Sequence, residues 1–234
     1  MPSKNLAIIP ARGGSKGIVN KNTKVIAGKP LIAWTIEQAL NTKDIDRVIV
    51  TTDCKEIASV SREFGAEVPF LRPPELATDN AATEPVLAHA ISWLSAEESY
   101  APDNIVLLQP TSPVRYKNRI TQALKKIEDH GGDSLLSVVE SEIFLWSNLD
   151  KPRAMYDYLN RPRRQDIDAN DRVYRENGSI YITKTQAFNK FKNRLSENNV
   201  GFLMSPEEGV DIDTQLDWDI AERILFKLVE ENKI

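Results

Sequence analysis

Two rhythms of apolar and polar positions run through this chain. Short, nearly continuous apolar runs fall at residues 6–9, 47–51, 66–70, 105–108 and 134–139, which is how strands buried on both faces read. Between them, residues 31–40, 55–64, 84–93 and 119–128 repeat apolar side chains at the spacing of amphipathic helices. Strands separated by helices predict an α/β fold, a mainly parallel sheet with helices on both faces. Such sheets bind ligands beyond the carboxyl ends of their strands, so the loops after Ile9, Leu108 and Val139 are expected on one rim. The rhythm breaks over residues 141–174, rich in aromatics, prolines and arginines. SIYI, residues 179–182, returns to the sheet, and residues 215–231 read as a closing amphipathic helix.

The first strand opens into IIPARGGSKGIVNKN, residues 8–22. Gly13 and Gly14 let the backbone approach an anion closely and take positive φ, while Arg12, Lys16 and Lys21 supply neutralising charge. A phosphate loop is the reading, although the spacing is neither that of a P-loop nor GxGxxG. Near the other end, Val210-Asp211-Ile212-Asp213 sets two carboxylates two apart on an extended segment, both facing one way. Paired carboxylates beside a phosphate are natural magnesium ligands. Alternatively, Asp213-Thr214 caps the final helix.

At 234 residues and 41% hydrophobic, the chain suits one domain with a sizeable core. A net charge of −4 argues against a general nucleic-acid binder, so the basic residues matter locally. No apolar run is long enough to span a membrane, and the first residues lack the apolar stretch of a secretory signal, so a cytoplasmic protein is expected. Cys54, the single cysteine, reads as a packing residue, and His89 and His130 have no partner pattern. Phe144, Trp146, Tyr156 and Tyr158 in the irregular stretch favour an interface; the alternative is a long loop folded over its own domain.

The loop at 8–22 followed by AGKPLIAWTI resembles the signature of the acylneuraminate cytidylyltransferases, the CMP-sialic acid synthetase family. LRPPELATDNAAT (71–83), LLQPTSPVR (107–115), RENGSIYI (175–182) and VDIDTQLDWDIAE (210–222) agree in order and rough spacing from end to end. Val19 stands where a proline is common, Val114 replaces a usual leucine, and the segment between Arg164 and Asn177 is longer than usual by a few residues, which bears on specificity.

The resemblance implies a Rossmann-like fold of the nucleotide-diphospho-sugar transferase type, one cytidylyltransferase domain over 1–234 with 141–174 as a dimerisation arm reaching a second subunit's cleft. It implies transfer of CMP from CTP to the anomeric hydroxyl of a nonulosonic acid, with magnesium, as in surface polysaccharide biosynthesis. Ala11, Arg12, Gly13, Gly14, Ser15, Lys16, Lys21, Asn22, Arg72 and Thr83 would hold the nucleotide, Asn22 reading the cytosine edge. Gln109, Arg164, Gln165, Arg175 and Asn177 would hold the sugar acid, an arginine gripping its carboxylate. Asp211 and Asp213 would hold the metal, and Arg12, Lys21 and Asp211 carry catalysis. The hydroxyl proton would pass to Asp211 or to water on the metal, and the sequence leaves both open. Rival readings are the same chemistry on legionaminic, pseudaminic or 3-deoxy-octulosonic acid, and a non-catalytic nucleotide-sugar binding module.

Overall fold

The structure, a computed structural model, describes residues 3–234. Six strands form the main sheet: β1 (Asn5–Pro10), β2 (Arg47–Thr51), β3 (Asn104–Leu108), β4 (Ser134–Ser141), β5 (Val173–Lys184) and β6 (Asn199–Leu203). Their spatial order is β6-β4-β5-β3-β1-β2. All run parallel except β5, which pairs antiparallel with both β3 and β4. The helices are α1 (Leu31–Leu40), α2 (Lys55–Glu63), α3 (Thr83–Glu98), α4 (Arg119–Asp129), α5 (Thr185–Phe191) and α6 (Gln215–Glu230).

Side-chain alternation along β1 divides the core. Ala7 and Ile9 face Ile32 and Ile36 of α1, Ile57 of α2 and Ile120 of α4, whereas Leu6 and Ile8 face Leu87, Ile91 and Leu94 of α3 and Phe188 of α5. Each fully buried Ile or Leu contributes about 1.5–3 kcal/mol, which fixes the pleat. A third cluster lies outside the sheet, where Trp218, Ala221, Leu225 and Leu228 of α6 meet Leu31 and Trp34 of α1. It also takes in Ile18 and Ile212, so the glycine-rich loop and the carboxylate segment share one apolar anchor.

The expected strand at 66–70 is reduced to a single bridge between Glu67 and Ile49 at the outer edge, beside β2. Glu67 exchanges backbone hydrogen bonds with Val48 and Val50, but Pro69, lacking an N–H, cannot extend the ladder. The irregular stretch is an excursion over residues 142–172 between the antiparallel strands β4 and β5, whose pairing takes Ser141, Val173 and Tyr174 into the sheet. It carries a short ribbon pairing Trp146–Ser147 with Arg153–Ala154. Phe144 and Tyr156 stack edge to face at 5.2 Å, and Arg161 lies 3.9 Å above the Phe144 ring.

Arg115 pins the sheet's carboxyl rim. It is 1% exposed, and its guanidinium donates to the carbonyls of Gln109 (2.9 Å) and Ser179 (2.8 and 3.2 Å) and to Thr35 Oγ1 (3.1 Å) and Gln38 Oε1 (3.0 Å) of α1. Burial lowers its pKa to about 9, against the pull of Glu208. Among the described residues no carboxylate touches this cation, so its hydrogen bonds, with the more distant charge of Glu208, offset desolvation. Arg115→Ala would leave buried carbonyls without donors and cost about 3 kcal/mol or more. Urea unfolding of the variant should show a clearly lower midpoint, and an unchanged midpoint would contradict this role for Arg115.

Candidate functional site

The loop after β1 is held by its backbone. Ala11 N–H donates to Thr51 O (3.0 Å), Gly13 N–H to Asp53 Oδ1 (2.9 Å), and Asn22 Nδ2 to Arg12 O (3.1 Å). Gly14 takes φ +67°, a conformation that favours glycine. Ile18, buried, fastens the loop into the third core cluster. Gly17 lies so close to the other end of the chain that a Cβ there would stand 2.3 Å from Asp213 O.

Lys21 completes that junction. Its ammonium donates to Ile212 O at 2.5 Å and pairs with Asp213 at 3.3 Å, with its side chain only 11% exposed. Ile212 is buried between exposed Asp211 and Asp213, so the extended segment turns both carboxylates outward. Capping of α6 falls to Thr214, which forms a capping box with Asp217. Asp213 is therefore free of that duty, and its carboxylate faces Lys21. Among the described residues the Asp211 carboxylate meets only the Ser112 hydroxyl, at 3.5 Å.

The turn after β3 forms the adjoining wall. Ser112 Oγ donates to Asn177 O (3.0 Å), and a Cβ on Gly178, whose φ is +70°, would sit 2.5 Å from Gln109 Oε1. Asn177 is buried. Its amide donates to Glu208 O (2.9 Å) and accepts from Ser137 Oγ (2.6 Å), so it frames the site with bonds inside the protein. Glu208, wholly buried, accepts from Arg119 at 2.7 Å and fixes the turn that leads to Asp211. Arg175 Nη2 reaches Gly209 O of that turn at 2.9 Å and remains exposed.

On the other side lies a cleft of about 600 Å³ lined by Arg12, Gly13, Asp53, Thr78 and Asp79. Arg12 pairs with Asp79 at 2.6 Å and Lys16 with the same carboxylate at 2.5 Å. Arg72 is buried beneath and donates to Thr51 O and Thr51 Oγ1; burial pushes its pKa down to about 10, nearby Asp53 opposing. Thr83 begins α3.

Arg12, Gly13, Gly14, Lys16, Lys21, Asn22, Asp211 and Asp213 thus surround one rim, with Gln109, Arg175 and Asn177 in the adjoining wall. Arg164 and Gln165 stand apart on an exposed turn of the arm, Arg164 paired with Glu142 at 3.0 Å. Sequence reasoning passed over Asp53, Asp79, Ser112, Arg115 and Glu208. The first four lie in or beside segments singled out for other residues; nothing in the sequence marks Glu208 as buried.

The sequence profile described as cytidylyltransferase matches residues 6–231. A CMP-N,N'-diacetyllegionaminic acid synthase of Legionella pneumophila is 39% identical over 94% of the chain and 95% of its own length. An N-acylneuraminate cytidylyltransferase of Escherichia coli is 35% identical over 97% of the chain, which spans about half (53%) of that relative. Among solved structures, CMP:2-keto-3-deoxy-manno-octonic acid synthetase complexed with CTP superposes with a TM-score of 0.70 at 17% identity, covering 96% of this chain and 99% of that one, a likeness of fold.

Gly17→Ala tests the junction. The added methyl must push the loop off Asp213 O, moving Lys21 with it, and a displacement near 1 Å can cost about a hundredfold in function. Inorganic pyrophosphate, measured by calorimetry, should bind the variant at least about tenfold more weakly than the parent; equal affinity would mean that the close approach has no functional weight.

Proposed function

Because the chain belongs to the cytidylyltransferase family, we propose that it transfers CMP from CTP to the anomeric oxygen of a nonulosonic acid and releases pyrophosphate. The observation that carries this reading is the Lys21 bridge, which sets the glycine-rich loop and the Asp211–Asp213 pair against one another. The acceptor hydroxyl attacks the α-phosphorus in line, giving up its proton to Asp211 or to water, while the bond to the bridging oxygen breaks and pyrophosphate leaves. Arg12, Lys16 and the amides of Gly14 and Ser15 hold the phosphates, while Lys21 neutralises charge where it develops. Asn22 donates its Nδ2 to the loop, and its Oδ1, without a donor among the described residues, is left to accept from the cytosine amino group. Arg175 suits the acceptor's carboxylate, with Gln109 along its polar edge.

Asp211 and Asp213 fit a magnesium ion. They are exposed oxygen donors flanking a buried residue, and Asp213 is relieved of capping by Thr214. Among the described residues no third acidic or histidine ligand joins them, so the remaining positions fall to phosphate oxygens and water. When bound, the ion supplies charge neutralisation to the phosphates. The Legionella relative matches from end to end, which makes N,N'-diacetyllegionaminic acid the first acceptor to test beside N-acetylneuraminic acid. CTP as co-substrate suits a cytoplasmic enzyme, and no helix among the described residues is long and apolar enough to cross a membrane.

The arm is read as the contact of a homodimer with shared sites. Leu145, Trp146, Leu149, Met155, Tyr158 and Leu159 are all exposed on it, a patch that a two-fold partner would cover. Arg164 would then serve the partner's cleft.

Pyrophosphate release from CTP and magnesium with a panel of nonulosonic acids tests the reaction. Turnover should depend on the acid and stop in excess chelator, and Asp211→Asn should lose about a hundredfold or more in kcat, as loss of a metal ligand does. Full activity in chelator would refute the metal assignment, and no turnover with any acid would refute the reaction. For the arm, co-expressing inactive Arg164→Ala with inactive Lys21→Ala should restore part of the activity, since some mixed dimers hold one intact site. Absence of recovery in a proven mixed dimer would return Arg164 to its own subunit.

A further inference from the structure

The phosphate loop's two outermost cations already hold an anion. Asp79 lies at the tip of the segment 77–82, between the 3-10 turn Pro74–Leu76 and α3. Its two carboxylate oxygens are divided between Arg12 at 2.6 Å and Lys16 at 2.5 Å. These cations draw its carboxyl below the usual carboxylate range, Lys16 most strongly. The segment's root is fixed, because Ala77 N–H bonds back to Pro74 O and buried Arg72 reaches Leu76 O at 3.4 Å. Beyond Ala77, Thr78 to Ala81 form only one internal turn, Ala81 N–H to Thr78 O, and Asp79 makes the only side-chain hydrogen bonds or ion pairs from that turn to the rest of the protein among the described residues. Asp79 also lines the cleft of about 600 Å³ beside Gly13 and Gly14.

A carboxylate bridging two cations at a phosphate loop has the charge and oxygen geometry of a phosphate edge. We propose that Asp79 is an internal stand-in for substrate phosphate: without nucleotide it latches the segment 77–82 onto Arg12 and Lys16, and an incoming triphosphate displaces it. This rests on the reading of the cleft as the CTP site. The latch lowers apparent affinity by the fraction of molecules in which it is open. The same carboxylate competes with product pyrophosphate for Arg12 and Lys16 and so favours its release.

The test joins affinity to motion, because removing any negative charge nearby would raise anion affinity somewhat. Calorimetry with inorganic pyrophosphate and with CTP, no sugar acid present, should show Asp79→Asn binding both about tenfold more tightly. Asp133→Asn, which loses a pair with Lys184 at the opposite end of β4, should bind as the parent does. Hydrogen exchange should show the amides of 77–82 exchanging faster in unliganded Asp79→Asn than in the parent, and pyrophosphate should speed them in the parent to the same degree. Unchanged or weaker binding by Asp79→Asn, or exchange indifferent to both the substitution and pyrophosphate, would overturn the latch. Should the parent bind neither CTP nor pyrophosphate, the CTP reading falls with it; CTP binding by the parent without the Asp79→Asn response refutes the latch alone.

Discussion

The approach of the glycine-rich loop to the segment before α6 is the constraint on which the site depends. Lys21 and Ile212 stand 191 positions apart in sequence, yet one short hydrogen bond joins them, and Gly17 leaves no room for a side chain against Asp213. Ile18 and Ile212 anchor both segments in the cluster between α1 and α6. Apolar packing therefore brings the charged groups together, which their own attraction in water would not do, since exposed ion pairs are worth little. Once the two segments meet, cations from one and carboxylates from the other face the same volume.

Around this junction the protein divides its polar groups into two kinds. Arg115, Asn177 and Glu208 are buried and bonded within the protein, and they hold the turn after β3, the bend in β5 and the turn before Asp211 in register. Arg12, Lys16, Arg175, Asp211 and Asp213 stand partly or wholly in solvent, each with few partners. A rigid, satisfied frame with loosely committed charges at its rim is what positioning and charge neutralisation of a phosphate require.

Much of this was legible in the sequence, for physical reasons. Strands buried on both faces and amphipathic helices carry clear periods, so 31–40 and 47–51 emerge from the pattern with the bounds that the structure gives them. The glycine-rich loop was legible as a candidate phosphate site because Gly13, Gly14 and three cations follow a strand directly. Strand direction leaves no mark on periodicity, so the antiparallel course of β5 was hidden, as was the edge strand β6 with its glycine at position 201. The stretch 66–70 misled because its apolar content suits a strand while Pro69 forbids the ladder. Asn177 was expected to face the sugar acid, and only three-dimensional packing shows its amide committed to Ser137 and Glu208. Asp53 and Asp79 escaped notice because the attraction that pairs them with the loop acts across 40 and 67 positions of sequence.

Central to this account is that the cleft of about 600 Å³ beside the glycine-rich loop receives the nucleotide. A second cavity of similar size, about 590 Å³, lies between α1 and α4 and is lined by Trp34, Gln38, Arg115 and Tyr116. Crystals grown with CTP and manganese discriminate directly through the anomalous signal of the metal. The account predicts the triphosphate along Gly13 to Lys21, with manganese between a phosphate oxygen and Asp211. Nucleotide in the second cavity, or manganese remote from Asp211 and Asp213, would contradict it.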